Sequence, residues 1–430
     1  MSTLPPSGIE RQRNPWLWVP SLYLAEGIPY VVVMTVSVIL YKRLEISNTD
    51  IALYTSWLYL PWVIKPLWSP VVDVLKTKRF WIVAMQLVIG ASLALVALTI
   101  PLPHFFQYTL AVFWLMAFSS ATHDIAADGF YMLGLREHQQ AAFVGVRSTF
   151  YRVAMIAGQG LLVVLAGELE TRTHSVPFAW SMTFGVLSVM FLLFTVYHGL
   201  ILPHPPNDNA VRGAKAGGAI EEFLRVFVLF FRKKNILRTL AFLLLYRFAE
   251  AQLVKLASPF LLDTSAKGGL GLNTADVGFV YGTVGLIALT LGGLLGGYVV
   301  SRNGFRFWLL WMVLAVNVPD FVYVYLSQAL PSDLLVINSC VALEQFGYGF
   351  GFTAYVMYML YISQGEHATA HYAICTGIMA LGMMMPGMIS GWIQEMLGYK
   401  NFFLWICLAT IPSFGVSMLI KVEPEFGKKK

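Results

Sequence analysis

Apolar residues come in blocks along this chain, among them Ile82 to Ile100, Leu110 to Ser120, Leu187 to Tyr197 and Ile406 to Ile420. With its flanks, each block reaches the roughly 20 residues an α-helix needs to cross a bilayer. Read against turn and charge punctuation, the pattern predicts spans at 16–41, 50–73, 80–100, 105–133, 141–167 and 178–201, then at 237–262, 275–301, 306–329, 331–362, 368–395 and 401–421. Between the two sets, residues 203–218 form a polar linker through Pro203, Pro205, Pro206, Gly213, Gly217 and Gly218. Glu221 to Lys234 then reads as a basic amphipathic helix lying on the inner leaflet. The expected fold is an all-α membrane protein of about twelve transmembrane helices, in two six-helix pseudo-repeats at 1–201 and 237–430 joined by a linker at 202–236.

The duplication is visible in the residues themselves. Leu24-Ala25-Glu26-Gly27 in span one is answered by Phe248-Ala249-Glu250-Ala251 in span seven. Asn48-Thr49-Asp50-Ile51 before span two is answered by Asn273-Thr274-Ala275-Asp276-Val277 before span eight. The loop with Asp73 and Lys76 to Arg79 is answered by Ser301-Arg302-Asn303-Gly304-Phe305-Arg306. Three matches in order, all offset by about 225 residues, are what one duplicated unit requires.

Composition agrees with a lipid-solvated chain. It is 57% hydrophobic and only 12% charged, where a soluble domain carries about 25% charged residues. The first block, from Trp16 to about Leu40, is too long for a signal-peptide core and continues into further spans, so it is read as a first transmembrane helix. The net charge of +6 takes its meaning from its distribution. Arg11, Arg13, Lys76, Lys78, Arg79, Arg136, the stretch from Arg212 to Arg238, Arg302, Arg306 and the Lys421 to Lys430 tail fall on one side. Both termini and the central linker are therefore expected in the cytoplasm, and no nucleic-acid partner is expected. Cys340, Cys375 and Cys407 lie in apolar runs and read as packing residues.

An ionisable side chain at mid-bilayer costs about 2.5 to 3.5 kcal/mol by insertion scales. Yet the predicted spans keep Glu26, Lys65, Asp124, Asp128, Arg147, Arg152, Arg247, Glu250, Lys255, Asp320 and Glu344. Buried ion pairs fixing helix register are one account of any single member. For the set, a polar central pathway is the better one. Tyr23, Glu26 and Tyr30 fall on one face of span one, Asp124 and Asp128 on one face of span four, and Arg247 and Glu250 on one face of span seven. Paired carboxylates one turn apart raise each other's proton affinity unless a cation intervenes, and Arg152 or Lys65 could supply it. Glu26, Asp124, Asp128, Glu250 and Glu344 are thus the candidate proton carriers. Asp320 follows Pro319 and could instead cap a broken helix; Pro61, Pro66 and Pro70 should kink span two around Lys65. Gly292, Gly293, Gly296 and Gly297 should permit close helix approach.

Enzymatic readings find little footing. His367 and His371 enclose Ala-Thr-Ala, without the glutamate of a zinc-protease helix, and there is no phosphate-binding glycine loop. No catalytic residue, metal or cofactor is expected, and ion gradients remain as the energy source. A non-transporting receptor or scaffold would leave the internal charges without a purpose.

Several runs resemble those of the AmpG-like muropeptide permeases of the major facilitator superfamily: Lys65-Pro66-Leu67-Trp68-Ser69-Pro70 through Asp73, Asp124-Ile125-Ala126-Ala127-Asp128, Tyr151-Arg152-Val153-Ala154-Met155, Leu245-Tyr246-Arg247-Phe248-Ala249-Glu250-Ala251, Glu344-Gln345-Phe346-Gly347-Tyr348-Gly349 and Ser390-Gly391-Trp392. At position 250 the family has Asp where this chain has Glu. The resemblance implies a major facilitator fold, a bacterial inner-membrane location, and proton-driven import of anhydromuramyl disaccharides or muropeptides by a monomer. The candidate substrate site is Tyr23, Glu26, Lys65, Asp124, Arg152, Arg247, Glu250 and Glu344, in which a lactyl carboxylate would meet Lys65, Arg152 or Arg247 and aromatic residues such as Tyr23, Tyr151 and Tyr348 would stack on sugar faces. Asp73, Arg79 and Arg302 occupy the places of that superfamily's gating loops. Carriage of other sugars or oligosaccharides is the alternative, and an efflux role is not distinguished from import by sequence.

Overall fold

The computed structural model describes residues 13–206, 208, 214–365 and 367–429, and among them it contains helices and turns but no strand. Helical segments long and apolar enough to cross a membrane are Pro15–Arg43, Lys78–Thr99, Phe105–Gly134, Ala142–Thr173, Val176–Ile201, Thr274–Asn303, Phe305–Ala329 and Ala370–Leu419. They carry span one, spans three to six, spans eight and nine and, in the 50 residues of the last, spans eleven and twelve. Span ten is the helix Leu334–Ser363. Spans two and seven are each made of two shorter helices, Asn48–Trp57 with Leu60–Leu75, and Ile236–Leu245 with Phe248–Leu262. The predicted spans are therefore all helical, with ends displaced by a few residues.

Each break has a local cause. Pro61 opens the second helix of span two; it lacks an N–H, and its ring would collide with the carbonyl of Trp57. The kink expected around Lys65 thus lies more than a turn earlier, at Leu58 and Tyr59, and the helix runs on through Pro66 and Pro70. Span seven breaks without a proline. Arg247 there has φ −107° and ψ 22°, and span ten holds both residues of the break: the Tyr246 hydroxyl donates to the Gly351 carbonyl at 2.8 Å, and Arg247 donates to the Tyr348 hydroxyl. Spans eleven and twelve part at Gly398, whose φ of 70° is a left-handed value that glycine adopts at little cost.

The repeat expected from sequence has a structural counterpart at two helix starts. Ser47 accepts a hydrogen bond from the Asp50 amide at 3.0 Å before span two, and Asn273 accepts one from the Asp276 amide at 2.8 Å before span eight. Both are side-chain caps of otherwise unsatisfied N–H groups. Of the expected glycine face, Gly292 and Gly296 are the close-packed pair: a Cβ would fall 2.1 Å from the Phe346 carbonyl oxygen and 2.4 Å from the Thr353 hydroxyl, both on span ten. Gly293 and Gly297 face open space or ordinary contacts.

We call the end of the bundle that bears the turn between spans one and two the upper end. There the first six spans meet the last six directly. Lys42 pairs with Asp263 at 2.6 Å, Asn48 donates to Gln394 and Tyr399, and Thr49 donates to Glu395. Glu170 joins Arg43 and Trp180 of its own half to Thr274 of the other. Below this network, π-helical turns at Ala157–Leu161 and Gly278–Gly285 touch across spans five and eight. A Cβ on Gly282 would sit 2.1 Å from the Gln159 carbonyl oxygen, so only glycine permits this approach. Gly282→Leu should force the upper end apart. In a cysteine-free background, Asn48→Cys is buried and should resist a membrane-impermeant maleimide; adding Gly282→Leu should raise its labelling rate several-fold, and an unchanged rate would refute a seal at this contact.

Candidate functional site

The charges left inside the bundle gather into two clusters. In the first, Asp124 and Asp128 lie one turn apart on span four and face Glu26 of span one, with a carboxylate oxygen of each within 4.8 Å of the others. Lys65 of span two donates to Asp124, and Arg147 of span five pairs with Asp128 at 2.7 Å. The Tyr23 hydroxyl reaches Asp128 at 3.4 Å, while the Arg147 guanidinium lies 4.7 Å from the Tyr23 ring centre. The Lys65, Asp124, Asp128 and Arg147 side chains keep 27%, 21%, 37% and 33% of their exposure, so the cluster is only partly buried. Glu26 is sealed behind it, with Oε2 lacking a partner among the described residues.

The second cluster joins Glu250 of span seven, Asp320 of span nine and Glu344 of span ten, again within 4.8 Å. All three are buried. The break at Arg247 puts Glu250 in the first turn of a new helix, where free N–H groups favour negative charge. Gln345 donates to Glu344 at 3.0 Å and Tyr323 approaches it at 3.5 Å, but neither oxygen of Glu250 or Asp320 has a hydrogen-bond partner among the described residues. Nor does a described Lys or Arg lie within 4.0 Å of these carboxylates. The oxygen-only donor sets of both clusters suit protons or a hard cation rather than zinc or copper.

Several expectations are met differently. Asp320 does not cap its helix: its side chain makes no capping bond and joins the carboxylates instead. Arg247 forms no ion pair with Glu250; its guanidinium lies 5.0 Å and 4.9 Å from the ring centres of Tyr348 and Phe352. Arg152, considered beside Lys65 as a counter-ion, is exposed and reaches Thr290 at 3.3 Å, whereas Lys65 and Arg147 supply the cations. Sequence reasoning noted Arg147 within a span but did not place it in the site, because helical periodicity cannot say which neighbouring span a face meets. Among the gating candidates, Arg79 donates to the Gly199 and Leu202 carbonyls and contributes, with Lys78, a backbone N–H to the Asp208 carboxylate. Arg302 lies 5.0 Å from the Tyr298 ring centre. The Asp73 side chain falls outside the described residues.

Residues 21–372 match the Major Facilitator Superfamily, and the chain belongs to that superfamily. It is a multi-pass membrane protein and a secondary transporter, not an enzyme. It is 23% identical to the putative transporter AmpG 4 of Rickettsia conorii (strain ATCC VR-613 / Malish 7), over 94% of this chain and 95% of the relative. It is 24% identical to the anhydromuropeptide permease of Escherichia coli (strain K12), over 94% of this chain and 79% of the relative. Its fold matches the crystal structures of the nucleoside transporter NupG (TM-score 0.69, 15% identity, 95% of this chain and 100% of that one) and of a D-xylose-proton symporter (TM-score 0.69, 13% identity, 96% and 99%).

Lys65 and Asp124 of the first cluster should be energetically coupled to each other. Lys65→Met strands Asp124 and should lower the unfolding temperature in detergent, and Asp124→Asn should restore part of the loss. The coupling in the Lys65/Asp124 double-mutant cycle should be about 1–3 kcal/mol; simple additivity would show that the pair contributes nothing.

Proposed function

We propose that this chain is a proton-coupled transporter that imports cell-wall muropeptides or anhydromuramyl disaccharides across a bacterial inner membrane by alternating access. Both termini lie in the cytoplasm, so the upper end faces the periplasm. The moving units are residues 1–201 and 237–430, connected by the cytoplasmic linker 202–236. The observation that carries the reading is the pair of carboxylate clusters, one in each unit, the first paired with cations and part open and the second buried without ion pairs among the described residues. Three carboxylates so close together in low dielectric need compensating positive charge. Protons that enter and leave provide it without fixing the site in one state.

In this reading Glu26, Asp124, Asp128, Glu250 and Glu344 carry the coupling protons. Tyr23, Lys65, Arg152 and Arg247 meet the substrate together with Glu26, Asp124, Glu250 and Glu344, while Asp73, Arg79 and Arg302 act in gating at the cytoplasmic end. The cargo assignment is supported by the kinship with the anhydromuropeptide permease of Escherichia coli and by the runs named from sequence. Charge accounting sets the coupling. A monoanion carried with one proton moves no net charge, so the membrane potential, at about 2.3 kcal/mol per charge per 100 mV, adds to the driving force only if a second proton accompanies it.

Proteoliposomes holding the protein should accumulate labelled N-acetylglucosaminyl-anhydro-N-acetylmuramic acid when the outside is acid, and only equilibrate it when the pH gradient is collapsed. Glu250→Gln with Glu344→Gln should abolish accumulation yet retain exchange of internal for external substrate. Accumulation that follows a sodium gradient instead would assign the clusters to a metal cation, and competition by unrelated oligosaccharides with equal potency would remove the muropeptide assignment.

A further inference from the structure

Lys255 is a buried lysine in span seven that belongs to neither cluster. It is only 5% exposed, and among the described residues no carboxylate lies within ion-pair distance. Its ammonium donates to the Thr55 hydroxyl at 3.0 Å and lies 5.5 Å from the Tyr59 ring centre. Lys65, Arg147 and Lys42, by contrast, each have a carboxylate partner. An ammonium taken out of water without a counter-ion is expensive, and a residue serving only packing would be apolar.

Its surroundings fit a ligand. Lys255 and Ser258 line a small, partly open cavity together with Thr35, Tyr59, Met34 and Met383, contributed by spans one, two, seven and eleven, so the cavity lies between the two halves. Its volume is about 20 Å³ to a water-sized sphere, enough for one water or one ligand oxygen in this closed arrangement. Ser56, on the neighbouring turn of span two, has a buried hydroxyl with no hydrogen-bond partner among the described residues. A Cβ on Gly387 would fall 2.8 Å from that hydroxyl and 3.7 Å from the Lys255 Cε, so both side chains pack against the same glycine.

We infer that Lys255 is an anion-recognition site for a carboxylate-bearing substrate, engaged when the upper end opens. The Lys255–Thr55 hydrogen bond joins span seven to span two and therefore crosses between the halves. Parting them at the upper end breaks this bond, enlarges the cavity and turns the ammonium toward the incoming ligand. Closure behind the released carboxylate returns the ammonium to Thr55. The inference rests on the transport reading above and adds the chemical group that is recognised.

The test compares uptake of the anhydromuramyl disaccharide with that of its neutral lactyl methyl ester. Wild type should show at least a tenfold lower KM for the acid. Lys255→Met should bring the two within about threefold of each other, and Lys255→Arg should restore the preference. A preference unchanged in Lys255→Met, or absent in wild type, overturns the inference. Should Lys255→Met fail to fold, the neutral Lys255→Gln is read in the same way. If wild type carries neither probe, the cargo reading fails, and thermal unfolding of the purified protein judges the site alone. D-lactate should then raise the midpoint of wild type but not of Lys255→Gln at matched ionic strength, with D-lactamide inactive on both; equal effects on the two proteins overturn it.

Discussion

A charge within a bilayer-crossing helix needs a partner, because the surrounding medium supplies almost no solvation. Much of the interior arrangement follows from this constraint. Lys65 and Arg147 are drawn to Asp124 and Asp128 from separate spans, and the pairing brings spans two, four and five to one point against Glu26. The pairs are held but not sealed, since between 21% and 37% of each side chain remains accessible. A bundle built only for stability would have buried hydrocarbon at these places.

The second cluster meets the same constraint differently. Glu250, Asp320 and Glu344 have no ion-pair partner among the described residues, and Glu250 and Asp320 both sit where a helix restarts. Interrupted helices expose backbone N–H groups at membrane depth, and such ends suit ligand and ion sites in transporters. One cluster paired with two cationic side chains and one without ion pairs among the described residues form an asymmetric pair on a duplicated scaffold. The repeat is preserved in the helix caps at Ser47 and Asn273 while the chemistry inside the two halves has diverged.

Closure at the upper end depends on the absence of side chains as much as on polar contacts. The approach of Gly282 to Gln159 lets backbones touch, and the network around Lys42, Asp263, Asn48 and Tyr399 adds polar contacts above it. The charged and amide groups of this network can exchange their partners for water.

The spans, their approximate limits and most of the charges placed inside the bundle were legible in the sequence. Those properties follow from hydropathy and from the expense of charge in lipid, both of which act locally along the chain. Only the tertiary structure decided which charge meets which. Arg147 rather than Arg152 faces Asp128, Arg247 turns to Tyr348 instead of Glu250, Asp320 leaves its helix end for two distant carboxylates, and the bend of span two falls at Leu58 and Tyr59. Helical periodicity gives the face of one span but not its rotation or depth against its neighbours. Those are set by close backbone approaches such as that at Gly282, which depend on residues more than a hundred positions apart.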